Sequence, residues 1–139
     1  ELEYLEDQDL LDSCYVPKLM LQPIVENSIL HAFENKLKGK IIIQVDADEE
    51  HLLITVSDNG DGVDETKLKD LNARIHGEHD RLSKPLRSHG NGIALENVNK
   101  RIAVLFGRQY GMHVYSSPGI GTDVEIILPR KADNRKETV

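Results

Sequence analysis

The 139-residue sequence has one cysteine, Cys14, and no stretch that approaches the roughly 20 consecutive apolar residues of a membrane-spanning helix. A single cysteine excludes an internal disulfide and fits a reducing compartment. Basic residues are also scarce, 17 against 24 acidic ones, so the formal net charge is −7. A nucleic-acid-binding groove is therefore disfavoured, and a bound phosphate would depend on local donors.

The residues that are present indicate one globular domain. Hydrophobic residues make up 39% and charged residues 29% of the chain, which fits a protein with a substantial core. The abrupt opening "ELEYLEDQDLLD" indicates a piece cut from a longer protein. We expect residues 1–16 to be a remnant of the preceding segment that opens with a short helix, residues 17–130 to form the domain, and residues 131–139 to be a charged, disordered tail.

Periodicity predicts an alternation of helices and hairpins. Apolar spacing in "PKLMLQPIVENSILHAFEN" predicts a helix whose regular part begins at Pro23. Alternating residues predict a hairpin of 40–47 with 51–57, and a helix with Asp64 as its N-cap follows. A last helix, "IALENVNKRIAVLFG", is closed by Gly107 and precedes a second hairpin around "PGIG". This order predicts an α/β two-layer sandwich, a mixed sheet with helices on one face.

The stretch "TVSDNGDGVDE", residues 55–65, has the acids and glycines of a calcium loop. An EF-hand loop needs an oxygen ligand at its first position, glycine at the sixth and Glu at the twelfth. With Gly62 sixth, the twelfth residue is Leu68; with Gly60 sixth, the first is Thr55. The preceding residues also read as a strand, whereas an EF-hand loop follows a helix. The spacing therefore disfavours calcium and favours a strand that runs into a glycine-rich ligand loop.

The first helix carries polar residues at Asn27, His31 and Glu34, which lie on one stripe. The stripe is either a solvated helix edge or part of a site. In a site, the Asn27 carboxamide oxygen would suit Mg²⁺, which keeps several waters and binds substrate phosphates as well. His31 would then donate to a phosphate.

One glycine-rich segment precedes the second predicted helix, and another precedes the third. Asp58 ends a strand, where its carboxylate could accept from an exocyclic amino group, and Gly60 and Gly62 would leave the backbone open to a flat ligand. An ordinary turn is the alternative, because "DNG" is a common turn sequence. Gly90 and Gly92 precede a helix, whose free N–H groups and dipole favour phosphate. The chain has no GxxxxGK[ST] and hence no P-loop.

In this combination the chain resembles the ATP-binding domain of sensor histidine kinases. That is the Bergerat or GHKL fold, shared with gyrase, MutL and heat-shock chaperones. "PKLMLQPIVENSILHAF" is similar to "PxLLQPLVENAIKHG" of the autolysin-regulator branch, which is LytS- and YesM-like. The resemblance covers about Val16 to Arg130. It implies that the chain binds MgATP and donates the γ-phosphoryl group to a histidine.

The resemblance implies roles for individual residues. Asn27 matches the Mg²⁺ ligand, His31 a residue near the phosphates, and Asp58 the aspartate that accepts from the adenine amino group. Thr122, in the "GT" of the last motif, would help to close the adenine pocket. The remaining expected cofactor-binding residues are Gly60, Gly62, Arg87, His89, Gly90, Gly92, Leu95 and Asn97.

The long polar segment 77–89 is expected to be a lid over the triphosphate. It supplies local cations, Arg81, Lys84 and Arg87, that an acidic domain needs to hold a triphosphate. The chain departs from the family pattern at Leu30, where Lys or Arg is usual, and at Ala94, where the second glycine motif ends in glycine. The family's first strand has only a shortened match before "YVP".

The hydrolysing branch of the fold has Glu four residues before the asparagine, to activate water. Here that position is Pro23, so an ATPase is disfavoured and a kinase, whose nucleophile comes from elsewhere, is favoured. A degenerate ATP-sensing module without phosphotransfer remains the alternative.

No stretch resembles the phospho-accepting histidine region, so we expect it in an upstream domain of the parent protein. The expected parent is a homodimer in the bacterial cell membrane that signals to a response regulator, with this domain in the cytoplasm.

Overall fold

The computed structural model describes residues 2–5, 20–33, 38–77 and 91–130. The predicted lid beyond Gly77, the tail, Glu34 and most of the N-terminal segment lie outside these residues. In chain order the elements are β1 (Leu2–Leu5), α1 (Leu21–Asn27) followed by a π-helical turn (Ser28–Ala32), β2 (Ile41–Ala47), β3 (His51–Asp58), α2 (Glu65–Ile75), α3 (Asn91–Phe106), β4 (Gly111–Ser117) and β5 (Gly121–Pro129).

The five strands form one sheet in the order β1-β2-β3-β5-β4. Strand β1 runs parallel to β2 and the other neighbours are antiparallel, so the sheet is mixed as predicted. The prediction of a short helix at the N-terminus is wrong, because Leu2–Leu5 pairs with β2 from Ile41 to Gln44. The hydrogen bonds of this long-range pairing override the local helical preference of Leu and Glu. Strand β1 also supplies the sheet edge that the sequence had suggested was shortened.

One face of the sheet is buried and the helices cover it, which confirms the predicted two-layer sandwich. Along β3, Leu52, Ile54 and Val56 are buried and alternate with more exposed residues, the period of a half-buried strand. Residues of α1 and α3, such as Ile24 and Ile102, complete the core from the other layer. In the described part of the chain, no helix combines the length and apolar composition that crossing a bilayer requires.

Several helix boundaries differ from the prediction. Helix α1 begins at Leu21, so Pro23 lies in its first turn, where a missing N–H costs nothing. Helix α3 begins at Asn91, which places Gly92 inside its first turn rather than before it. The predicted cap of α2 is confirmed, because the Asp64 carboxylate accepts from the Lys67 N–H at 2.8 Å.

Side chains close the outer edge of β4. The Asn72 carboxamide donates to the Val114 carbonyl oxygen and accepts from the Val114 N–H, both at 2.9 Å. The Asn99 carboxamide oxygen accepts from the Met112 N–H at 2.9 Å, and His76 Nε2 lies 2.8 Å from the Met112 carbonyl oxygen. These bonds satisfy the backbone groups that an edge strand otherwise presents to another strand. The edge of β4 is therefore closed to strand addition at these residues.

We expect Asn72→Asp to lower the free energy of unfolding by about 2–3 kcal/mol, because a carboxylate would face the Val114 carbonyl oxygen and cannot donate to it. The measurement is urea denaturation followed by circular dichroism. Gln109→Glu, the same change in an exposed turn, is the matched control and should be nearly neutral. Equal effects of the two substitutions would contradict this role of Asn72.

Candidate functional site

The buried face of the sheet ends in a row of polar side chains. The strand register pairs Asp58 on β3 with Thr122 on β5, and Thr122 with Ser116 on β4. The hydroxyl groups of Ser116 and Thr122 lie 2.8 Å apart. Ser116 Oγ also accepts from the Val63 N–H at 2.9 Å, so it joins the row to the loop after β3. The row leaves polar groups under the helices at one end of an otherwise apolar face.

A cavity of about 60 Å³, here called the Asp58 slot, lies between this row and the helices. Six predicted site residues line the slot: Asn27, His31, Asp58, Gly62, Leu95 and Thr122. Its other lining residues are Ser28, Ala32, Val63, Leu71, Val114 and Val124. The slot is therefore a narrow cleft with apolar walls and a few polar groups at one end, which is the usual composition of a small-molecule site.

The Asp58 carboxylate is the most buried acidic group in the described part of the chain, with 9% of its surface exposed. Its Oδ1 accepts from the Gly60 N–H at 2.9 Å and from the Thr122 N–H at 3.3 Å. The Ser28 hydroxyl also bonds to the carboxylate. Burial raises the pKa of Asp58 above its ordinary value, and these three hydrogen bonds oppose the shift. The carboxylate is thus fixed in orientation and set in a poorly solvated place.

The helical side of the slot comes from the polar stripe on the first helix. Asn27 ends α1, and His31 lies in the π turn that follows; both line the slot. Turns of π-helix are rare in proteins and are often found at functional sites. Leu30, at the position where the family usually has Lys or Arg, is 66% exposed and does not line the slot. This position therefore supplies no cation to the slot. The structure therefore brings Asn27 and His31 to the same slot as Asp58.

The loop after β3 needs glycine for reasons internal to the protein. A Cβ on Gly60 would lie 2.8 Å from the Ala32 carbonyl carbon, within the π turn. Gly62 has φ +67°, and a Cβ there would lie 2.7 Å from the carbonyl carbon of Ser117. The Asp61 N–H also donates to the Ala32 carbonyl oxygen at 3.0 Å. The glycines thus let this loop pack against both the helix and the β4–β5 turn, rather than simply exposing backbone to a ligand.

The remaining predicted residues are not gathered in the slot. Asn97 is exposed on α3 and does not line it. Gly92 lies in the first turn of α3, where N–H groups have no partner within the helix. Arg87, His89 and Gly90 lie outside the described residues. Their roles, and those of Asn97 and Gly92, stay predictions.

Ser28 and Ser116 are site residues that sequence reasoning missed. Ser28 is 4% exposed and Ser116 is half-buried. The signal for Ser28 was its position directly after Asn27, where the quoted family pattern has alanine. Nothing in the sequence marks Ser116, because its role depends on the pairing of β4 with β5.

A second cavity, of about 880 Å³, lies between α2, α3 and the start of β4 and shares no residue with the Asp58 slot. It is larger, but two of its central polar side chains, Asn99 and His76, already bond to β4. The Asp58 slot is small beside the roughly 300–1,000 Å³ of a whole ligand site. Its size therefore suits one end of a ligand rather than a whole ligand.

Comparison with known proteins agrees with this geometry. The sequence model of the histidine kinase-, DNA gyrase B-, and HSP90-like ATPase family matches residues 17–132. The chain belongs to this family. The resemblance inferred from the sequence motifs is therefore confirmed.

Curated relatives of the family are sensor proteins. The chain is 31% identical over 137 residues to Sensor protein LytS of Bacillus anthracis, which covers 98% of this chain and 21% of that protein. It is 33% identical over 126 residues to Sensor histidine kinase YesM of Bacillus subtilis, and the match covers 90% of this chain and 19% of that protein. The chain thus spans about a fifth of the length of these relatives.

Solved structures of histidine kinases share the fold. The catalytic domain of histidine kinase ThkA matches with a TM-score of 0.61 and 18% identity, covering 93% of this chain and 78% of that one. The histidine kinase domain of the blue-light activated kinase EL346 from Erythrobacter litoralis gives a TM-score of 0.56 and 17% identity, covering 93% and 51%. At this level of identity the likeness supports the architecture alone.

Proposed function

We propose that this chain is the ATP-binding catalytic domain of a sensor histidine kinase. The observation that carries the proposal is the buried Asp58 carboxylate, held by the N–H groups of Gly60 and Thr122 at the end of the slot. An ionised carboxylate accepts hydrogen bonds and donates none. It therefore suits the exocyclic amino group of adenine and opposes the carbonyl oxygen that guanine has at that place.

The residues present fit the rest of a nucleotide. The apolar side chains of Leu71, Leu95 and Val124 line the slot and can enclose a flat ring. The side chains of Asn27 and His31 lie on the same slot, from the helix layer. The first turn of α3 offers N–H groups that suit phosphate. The base would thus enter beside Asp58, with its phosphates toward α1 and α3.

We propose Asn27 as the protein ligand of Mg²⁺. Among the described residues, no group of three or more His, Cys, Asp or Glu side chains is placed to hold a metal. A site built from one carboxamide oxygen, waters and phosphate oxygens is consistent with the preferences of Mg²⁺. Bound there, the ion would neutralise charge on the transferred phosphoryl group.

In this proposal the chain positions the γ-phosphoryl group and another part of the parent protein supplies the accepting histidine. Position 23, one turn before Asn27, is a proline in α1 and offers no base to activate water. Transfer then relies on orientation and charge neutralisation. We further propose that the parent is a membrane-bound homodimer that passes the phosphoryl group to a response regulator.

The first test compares the base preference of the chain. Titration calorimetry with Mg²⁺ should give at least about tenfold tighter binding of ATP than of GTP, because the guanine carbonyl oxygen would face the buried carboxylate and cannot donate to it. Asp58→Asn should weaken ATP binding, since a neutral oxygen accepts less strongly. Ser57→Ala, which removes a hydroxyl from the opposite face of β3, is the control. Comparable affinities for ATP and GTP would overturn the proposal.

Phosphotransfer is tested with the parent protein. Incubation with ATP labelled at the γ-phosphate should place the label on a histidine outside residues 17–130. Binding of ATP without any labelling would favour the alternative, an ATP-sensing module. Release of labelled inorganic phosphate without a labelled protein would instead indicate an ATPase.

A further inference from the structure

Ser28 is buried beside the group proposed to read the base. It lies in the π turn directly after Asn27 and is 4% exposed. Its hydroxyl bonds to the Asp58 carboxylate and it lines the slot. A polar side chain so deeply buried costs stability unless it has a partner, and its partner here is Asp58. The serine is thus placed to act on the carboxylate rather than on solvent.

We propose that Ser28 is a specificity-determining residue, whose hydroxyl holds Asp58 as a hydrogen-bond acceptor and so restricts the slot to bases with an amino group at that position. The inference rests on the proposed function. Its subject is the contact between Asp58 and the base, and it does not involve the metal or the phosphates. Ser28 acts through Asp58 and is therefore a positioning residue.

The base preference of the slot depends on the protonation state of Asp58. An ionised carboxylate accepts from an amino group, whereas a protonated carboxyl can donate to a carbonyl oxygen. Burial raises the pKa of Asp58 and favours the protonated form, while donors favour the ionised form. Two of the donors are backbone N–H groups, which no side-chain substitution removes. Ser28 is the side-chain donor, so it is the residue at which the preference can change.

Other charges near Asp58 are few. Among the described residues that line the slot, His31 on the π turn is the other ionisable side chain. Asp123 on β5 raises the pKa of Asp58 by its charge. The residues that α2, α3 and β4 contribute to the slot are Leu71, Leu95 and Val114, which carry no charge. Removal of the Ser28 hydroxyl therefore leaves burial and Asp123 opposed by the backbone donors alone.

The test uses ATP and inosine triphosphate, since hypoxanthine has a carbonyl oxygen where adenine has its amino group. The ratio of their affinities is measured by calorimetry with Mg²⁺ from about pH 5 to pH 8, where folded proteins are generally stable. Both ligands carry the same triphosphate, so any change in phosphate binding cancels in the ratio. The ratio then reports the contacts at the base edge.

The direction of the pH effect follows from the raised pKa of Asp58. Discrimination requires ionised Asp58, so it is present above the pKa of that group and is lost as the pH falls through it. Ser28→Ala removes one donor to the carboxylate and so raises this pKa further, and discrimination should therefore be lost at a higher pH in the variant than in the unchanged chain. The same conclusion would be supported if the preference for ATP over inosine triphosphate were independent of pH in the unchanged chain but decreased at low pH in the variant.

Ser57→Ala is the matched control, because it removes a hydroxyl from the neighbour of Asp58 on the opposite face of β3. Its profile should superimpose on that of the unchanged chain. Superimposable profiles for Ser28→Ala and the unchanged chain would overturn the inference while ATP binding still stands. Failure of the unchanged chain to bind either nucleotide would overturn the proposed function and this inference together.

Discussion

Replacing Asn27 with alanine is expected to weaken the binding of ATP in the presence of Mg²⁺ by about tenfold or more, since even residues behind the direct ligands change metal affinity by about 10–100-fold. Binding of ATP without Mg²⁺ should change little. The reason is that the carboxamide oxygen would contact the ion, whereas the base would contact the Asp58 carboxylate. Calorimetry with Mg²⁺ and with a chelator provides the comparison.

Gln44→Ala is the matched control for Asn27→Ala. It removes a carboxamide of the same chemistry from the exposed face of β2, where Gln44 bonds to Asp46. Its affinity for ATP should be unchanged with and without Mg²⁺. Equal losses for Asn27→Ala in the two conditions would show that the asparagine supports the slot without binding the ion.

Local sequence signals were sufficient where one element determines its own geometry. The alternation in "HLLITVSD" and the capping carboxylate of Asp64 predicted β3 and the start of α2 because both depend on neighbouring residues. The same signals failed at Leu2–Leu5, whose conformation depends on pairing with β2, a partner some forty residues away along the chain. Long-range pairing is the information that a single sequence shows least directly.

The site was predictable to the extent that its motifs are contiguous. Asn27, Asp58 and Thr122 each lie in a recognisable segment, and the fold brings them to one slot. The sequence did not show which contacts within the protein fix the residues that line the slot. Ser28 bonds across from helix to strand, and the glycines of the loop serve contacts within the protein. These roles arise only when the two layers meet.

The contact between the loop after β3 and the β4–β5 turn leads to the largest expected loss of stability. Gly62 and Gly119 both have positive φ, +67° and +77°, which L-residues adopt at a cost. A Cβ on Gly119 would meet nothing within 4 Å. A Cβ on Gly62 would clash with the backbone of Ser117 and lie 3.2 Å from the Cα of Pro118. The two glycines therefore share the backbone strain and differ in the clash.

We expect Gly119→Ala to lower the free energy of unfolding by about 1–2 kcal/mol, the cost of the left-handed conformation alone. Gly62→Ala should lower it by more than about 4 kcal/mol, because the backbone atoms it meets cannot rotate away and the loop or the β4–β5 turn must move. Urea denaturation of both variants, followed by circular dichroism, measures the difference. Equal losses would mean that the loop yields freely and that the close packing of Gly62 on Ser117 adds nothing to the stability of the fold.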